Sequence, residues 1–367
     1  MSEGKTLIVG SSPQIRDADT TAGIMWHVSI ALIPAGIWGV YLFGLRSLLV
    51  ILISIAAAAA AEYGIARMLK RQTLADGSAV LTGLLIGYNM PPLVPLYIPV
   101  VASVFAIAVV KWAFGGLGAN WMNPALAGRA FVFFSWTTGM NAWQMPRTWA
   151  GIDGASSATP LGTVQTGLFD VAGEGGTALS YLESISYAAS GWGSSLADWF
   201  SGTVGLNVSA HTADLFIGAV PGSIGEVSAL LLILGGVYLL YKRIITWEIP
   251  VSFLASFALL IWIFEGTLFS RGLFSGSVGF HLFSGGLILG AIFMATDMVT
   301  SPVTGRGMII YGIGAGFLTF LIRLYGSLPE GVSLAIILMN IFVPIIDRYV
   351  QPKPYGFRKQ KTGRNAA

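Results

Sequence analysis

Residues 47–68 read Ser47-Leu-Leu-Val-Ile-Leu-Ile-Ser-Ile-Ala-Ala-Ala-Ala-Ala-Ala-Glu62-Tyr-Gly-Ile-Ala-Arg67-Met68, and both ionisable side chains lie toward one end. As an α-helix this stretch is about 33 Å long, enough to cross a hydrocarbon core of about 30 Å. The alanine run 56–61 makes it a close helix-packing face. Working outward, apolar runs of similar length recur along the chain, and ten membrane segments follow: 23–43, 47–68, 77–90, 93–114, 124–140, 225–241, 248–264, 281–299, 308–324 and 332–349. They divide the chain into a polar tail (1–22), five helices (23–140), a loop rich in Gly, Ser, Thr and Trp (141–224), five more helices (225–349) and a basic tail (350–367).

Composition agrees. Only 10% of residues are charged and 54% are hydrophobic, with a mean hydropathy of +0.74. A soluble chain is about one-quarter charged, so too little polar surface remains here to enclose one aqueous core. The chain has no cysteine and three histidines, His27, His211 and His281. Disulfides, thiolate metal centres and iron–sulfur ligation are thereby excluded, and electron handling points to an organic cofactor. The basic balance carries no aromatic-interleaved stripe, so nucleic acid is not an expected partner. No cleavable signal peptide is visible, and the first apolar span is expected to remain as an anchor.

Lysines and arginines orient the segments. With the N-terminus inside, one side receives fifteen: Lys5, Arg16, Arg67, Lys70, Arg71, Lys111, Lys242, Arg243, Arg306, Arg348, Lys353, Arg358, Lys359, Lys361 and Arg364. The other receives Arg46, Arg147, Arg271 and Arg323, while Arg129 falls inside the fifth segment. Both termini are therefore expected to be cytoplasmic and the 141–224 loop external.

Two segments are broken. Residues 77–90 are fourteen in number and stop at Pro91-Pro92; that is about 21 Å of helix. The eighth segment runs into Asp297-Met-Val-Thr-Ser-Pro302-Val-Thr-Gly305. Backbone freed at such breaks must be buried in protein or line a cavity. Gly77-Ser-Ala-Val-Leu-Thr-Gly-Leu-Leu-Ile-Gly87 also aligns with Ser284-Gly-Gly-Leu-Ile-Leu-Gly-Ala-Ile-Phe-Met294 through a shared central glycine. Segments three and eight cross in opposite directions. The expected fold is thus all-α, two inverted five-helix repeats with broken helices three and eight, a pattern that marks the functional centre of transporters.

Polar residues at membrane depth are the candidate functional groups. Asp297 lies at the break of segment eight, and Glu226 is read into the first turn of segment six, where the helix dipole favours a carboxylate. Glu62 and Asp347 fall near the inner interface. Asn123 precedes Pro124, a good helix cap. In the outer loop, Asp153-Gly-Ala-Ser156-Ser-Ala158-Thr159-Pro160-Leu161 sets a hydroxyl before a proline among small residues. The proline pushes Thr159 to extended geometry; by residue type alone this is an ordinary surface turn.

That string resembles the flavinylation signature Asp-x-x-Ser/Thr-Gly-Ala-Thr, its defining residues falling on Asp153, Ser156, Ala158 and Thr159, with Ser157 in place of the glycine. Further strings share the resemblance: Asp76-Gly-Ser-Ala-Val-Leu-Thr-Gly-Leu-Leu85, Gly115-Gly-Leu-Gly-Ala-Asn120-Trp-Met-Asn123-Pro-Ala125, Gly222-Ser-Ile-Gly-Glu226-Val-Ser228, Glu330-Gly331 and Ala335-Ile-Ile-Leu-Met-Asn340. Over nearly its full length the chain resembles the D-subunit of Rnf-type ferredoxin:NAD+ oxidoreductases. It is similar, less closely, to the B-subunit of the Na+-translocating NADH:quinone reductase. The resemblance implies a redox component of an ion-translocating complex, with FMN joined through its phosphate to Thr159. It also implies a bacterial inner membrane, a non-covalent riboflavin with Asn120 and Asn123 in the matching motif, and partners that include an outer-face FMN subunit and iron–sulfur subunits. Asp297, at the break of segment eight, is expected to face that riboflavin or an ion path. The alternatives are that quinone reductase component itself, or a cofactor-free inverted-repeat solute transporter.

Overall fold

The computed structural model describes residues 20–71, 73–146, 158–168, 178–179, 182, 189–203, 208–268, 272–326 and 330–351. Among these there is no β-strand. The helices are α1 (Thr21–Phe43), α2 (Leu45–Met68), α3 (Ser78–Tyr88), α4 (Tyr97–Phe105), α5 (Pro124–Ser135) and α6 (Thr137–Met140). The 141–224 stretch supplies α7 (Pro160–Leu168), α8 (Gly191–Thr203) and α9 (Ala210–Ile217). The second half contains α10 (Ala229–Tyr241), α11 (Glu248–Leu268), α12 (Val278–Phe283), α13 (Leu287–Leu289), α14 (Gly305–Tyr325) and α15 (Val332–Tyr349). Five of them, α1, α2, α11, α14 and α15, are long and apolar enough to cross a membrane. Shorter apolar helices accompany these, as a multi-pass membrane protein requires.

Several expected segments are interrupted. Segment four begins as α4 and widens into π geometry over Ala106–Trp112. Segment five ends as α5 at Ser135, and Trp136 (φ −133°, ψ 60°) redirects the chain into α6. Segment six starts at Ala229, later than expected. The Ser228 hydroxyl caps it by accepting from Leu231 N at 3.4 Å, which leaves Glu226 in the preceding loop and off the helix. Segment eight is broken twice. After α12 it turns at Ser284–Gly286, resumes as α13, passes into π geometry over Gly290–Met294 and unwinds again before Pro302.

Packing follows small residues, because lipid offers no hydrophobic drive between helices. On α14, Gly312 and Gly316 lie one turn apart, and a Cβ on either would collide with the Ser252 or Ser256 hydroxyl and press on α11 backbone. Helix contacts fall into reciprocal sets: α2 on α4 and α11 on α14, α4 on α5 and α14 on α15, α1 on α3 and α10 on α13. Two further contacts, α1 on α10 and α5 on α15, join the halves.

A buried ion pair fixes one end of the first half. Lys111 Nζ lies 2.9 Å from Glu62 Oε2, with exposures of 2% and 0%. Thr73 Oγ1 and Trp112 Nε1 donate to the same carboxylate at 2.7 and 3.0 Å, and Lys111 also donates to Ser78 Oγ at 2.7 Å. Lys111 and Glu62 are therefore interior groups, not loop charges. Glu62→Gln strands the ammonium without a counter-charge, and the expected loss is about 3–5 kcal/mol. A large drop in the thermal unfolding midpoint in detergent, mostly recovered by Lys111→Met in the same chain, is the check.

Candidate functional site

A cavity of about 290 Å³ opens where α1, α3, the start of α5, the end of α10 and the second break of segment eight meet. Its walls are mostly apolar, from residues such as Ile24, Leu81, Leu239 and Phe293, and its polar groups include Asn120, Asn123, Asp297, Thr82 and Lys111. Asn120, Asn123 and Asp297, far apart in sequence, are thus brought to one place. An apolar slot with a few convergent polar groups is the usual form of a small-molecule site.

Each polar residue is held by local geometry. Asn123 Oδ1 caps α5, accepting from Ala125 N at 3.0 Å and Leu126 N at 3.4 Å. Its Nδ2 donates to Met294 O at 3.2 Å, tying the first half to the π segment of the second. Asn123 is therefore chiefly a cap and a bridge that also borders the cavity. Asn120 Nδ2 donates to Met122 O at 3.1 Å, which leaves its second amide hydrogen and its carbonyl available. Asp297 accepts from Thr300 Oγ1 at 3.0 Å and Val299 N at 3.4 Å, and retains acceptor capacity. Such a set fits a flat, largely apolar ring with a polar edge: the walls take the ring, and an amide and a carboxylate meet the edge.

The second centre lies at the loop side. Thr159 is 7% exposed, and its Oγ1 accepts from Gly162 N at 3.1 Å as the cap of α7. The proline does keep it out of the helix, as expected, but the residue is buried and not on an open turn. An anion on this hydroxyl would lie at the N-terminus of α7, where the helix dipole favours negative charge. Ala158 is exposed; Asp153 and Ser156 lie outside the described residues.

Thr159 borders a small cavity of about 20 Å³ shared with Ser223, Glu226, Ser284 and Glu330. Arg129 pairs with Glu330 and donates from Nη1 to Ser333 Oγ at 2.5 Å. Arg323 donates to His281 O at 2.6 Å and Ser284 O at 3.3 Å, closing the C-terminal end of α12, and lies 5.1 Å over the Phe257 ring. His281 Nε2 is 3.2 Å from Glu265 Oε1. The sequence reading counted Arg323, at the end of segment nine, among the charges of the outer side and left out Glu265. The cue for both was available, since each is an ionisable residue next to an apolar run.

Loss of Asn123 tests the bridge. Asn123→Ala removes a helix cap worth about 1 kcal/mol and leaves the Met294 carbonyl unpaired, a further ~1–3 kcal/mol. Asn123→Ser retains a capping hydroxyl and is expected to fall between wild type and alanine in thermal midpoint.

The profile of the NQR2, RnfD, RnfE family matches residues 8–356. The chain is 42% identical over 352 residues to the D-subunit of the proton-translocating ferredoxin:NAD(+) oxidoreductase complex of Clostridium ljungdahlii, covering 96% of both chains. It is 42% identical over 361 residues to the D-subunit of the Na(+)-translocating ferredoxin:NAD(+) oxidoreductase complex of Acetobacterium woodii, covering 97% of both. The D-subunit of an ion-translocating oxidoreductase complex of Stutzerimonas stutzeri is 39% identical over 357 residues, with 91% of each chain covered.

Proposed function

Because the chain belongs to the NQR2, RnfD, RnfE family, we propose that it is the membrane electron-transfer subunit of an ion-translocating ferredoxin:NAD+ oxidoreductase. In this reading FMN is esterified through its phosphate to Thr159, and riboflavin occupies the large cavity. The observation that carries the reading is the convergence of Asn120, Asn123 and Asp297 on one mostly apolar cavity.

The flavins supply the redox chemistry, and the protein supplies position and surroundings. The apolar walls formed by α1, α3 and α10 hold a ring system and exclude water. Asn120 and Asp297 orient its polar edge. Lys111, neutralised by Glu62 and donating to Ser78, lies at the border. At the other centre, the α7 N-terminus favours the phosphodiester charge on Thr159. The 7% exposure of that threonine means that the attaching transferase acts before the loop closes over it.

The reciprocal helix contacts support two inverted five-helix repeats, related by an axis between the α1–α10 and α5–α15 contacts. The positive-inside balance supports cytoplasmic termini and an external 141–224 loop in a bacterial inner membrane. The large cavity, bordered by Thr21 and Asp297, then lies toward the cytoplasm and Thr159 toward the outside. Partners are an outer-face FMN subunit and iron–sulfur subunits, since the chain has no cysteine to hold a cluster of its own.

Two measurements test the flavins separately. In the native host, denatured protein is expected to stay fluorescent in a gel, with a peptide containing Thr159 heavier by one FMN moiety; Thr159→Ala is expected to lose both. An unmodified Thr159 in that host sinks the attachment. For the other site, Asp297→Ala with Asn120→Ala is expected to lower the riboflavin released on acid treatment of the purified complex by about tenfold, which corresponds to about 1.4 kcal/mol, while the fluorescent gel band is unchanged. Full riboflavin content in that double variant overturns the placement.

A further inference from the structure

Asn340 closes the last of the strings on which the family resemblance rests, and neither flavin site gives it a task. It lies on α15, is 2% exposed and does not line the large cavity. A buried primary amide has two hydrogens and a carbonyl to satisfy, and leaving them unpaired is costly. Its neighbours determine how it turns. Thr300 O and Ile336 O can only accept and Asn123 N can only donate, whereas the Tyr311 hydroxyl can do either. Nδ2 therefore faces Thr300 O at 3.3 Å, Ile336 O at 3.2 Å and Tyr311 Oη at 2.7 Å, and Oδ1 accepts from Asn123 N at 3.2 Å.

Two of these partners belong to the walls of the cavity. Asn123 is the cap residue of α5, so its own N–H lies ahead of the helix and has no acceptor inside it. The Asn340 carbonyl supplies one. Thr300 closes the turn that carries Asp297: its N donates to Asp297 O at 3.2 Å and its Oγ1 to Asp297 Oδ2 at 3.0 Å. The turn is thus tied to the start of α5 at both of its ends. Before Asp297, Met294 O accepts from Asn123 Nδ2 at 3.2 Å. After it, Thr300 O and Asn123 N meet on the one Asn340 amide. Ile336, one turn earlier on α15, and the fully buried Tyr311 on α14 hold that amide from behind. One tie alone would let a non-helical turn pivot, whereas two fix the distance across which Asn123 and Asp297 face each other.

We propose that Asn340 is the positioning residue of the large cavity: its amide sets the spacing of Asn123 and Asp297, and with it the polar edge that a bound ring meets. The inference rests on the reading of that cavity as the riboflavin site. A flavin whose polar edge meets displaced groups is held less tightly and takes electrons at a different potential.

The test compares complexes purified from the native host by the riboflavin released on acid treatment and by the midpoint potential of the riboflavin that remains. Asn340→Leu, which keeps the volume and removes the amide, is expected to hold about tenfold less riboflavin per complex, the scale of one lost tie at the site, with a shifted potential. Asn340→Gln carries the same amide on a longer stem and is expected to fall between leucine and wild type in both readouts. Thr319→Val removes a different buried hydroxyl of α14, which donates to Ala315 O at 2.8 Å. That variant is expected to lower the thermal midpoint and leave riboflavin content and potential at wild-type values. If Asn340→Leu disturbs assembly, the shift in Asn340→Gln carries the test. Wild-type content and potential in both Asn340 variants overturn the inference. So does an equal fall in Thr319→Val, which makes the loss one of general stability. A wild-type complex without riboflavin overturns the reading of the cavity and this inference with it, so the two failures are distinct.

Discussion

A backbone amide or carbonyl inside a bilayer has no water to turn to, and each one left unpaired costs several kcal/mol. This chain interrupts its helices repeatedly at membrane depth, so the protein itself must supply partners at every interruption. After α3 the chain turns through prolines, and the loop before α10 comes to meet it: Ile224 N donates to Met90 O at 3.1 Å and Gly225 N to Tyr88 O at 3.0 Å. Gly225 lies against the Tyr88 ring so closely that a Cβ would overlap it. The end of α12 is closed by the Arg323 guanidinium, and the end of the π segment by the Asn123 amide.

Those repairs determine where the two candidate sites lie. Each repair links one half of the chain to the other or closes a break within one half. The spaces left between repaired ends keep polar interiors. The large cavity lies between the Asn123 cap, the π segment and the Asp297 turn. The small one lies between the Ser223–Glu226 loop and the Arg323-capped end of α12. Function and fold therefore share one cause: a broken helix creates unsatisfied groups, and whatever satisfies them forms a site.

The two centres differ in electrostatic character for the same reason. At the large cavity, Glu62 and Lys111 neutralise each other and the walls are apolar, which favours a large uncharged ring. At the small one, arginines are needed to close a helix end and to balance Glu330. Glu226, buried beside the same two arginines, borders a space of about 20 Å³.

How much was legible in sequence follows from the range of each interaction. The apolar spans and the breaks at Pro91-Pro92 and near Pro302 were readable, because helix length and proline chemistry act within a few residues. Asn123 was readable as a cap, Asn120 and Asn123 as candidates through a motif that the family shares, and Asp297 through its place at a helix break; that the three line one cavity is a finding of the structure. The turn at Ser284–Gly286 was not, since small residues there continue a helix as easily as they break it. Only the contact with Glu226 and Arg323 explains the outcome. Glu226 itself was misplaced onto a helix, because Ser228 two residues later is the better cap. Thr159 was identified from its neighbours, and its burial was not, since burial depends on α7, α9 and the α12–α13 turn closing around it. Hydropathy and proline chemistry, which are local, thus determined by themselves that this chain lives in a membrane with interrupted helices. Which interrupted ends meet, and so which polar groups share a cavity, only the tertiary structure decided, because those partners lie as far apart in sequence as Asn123 and Met294.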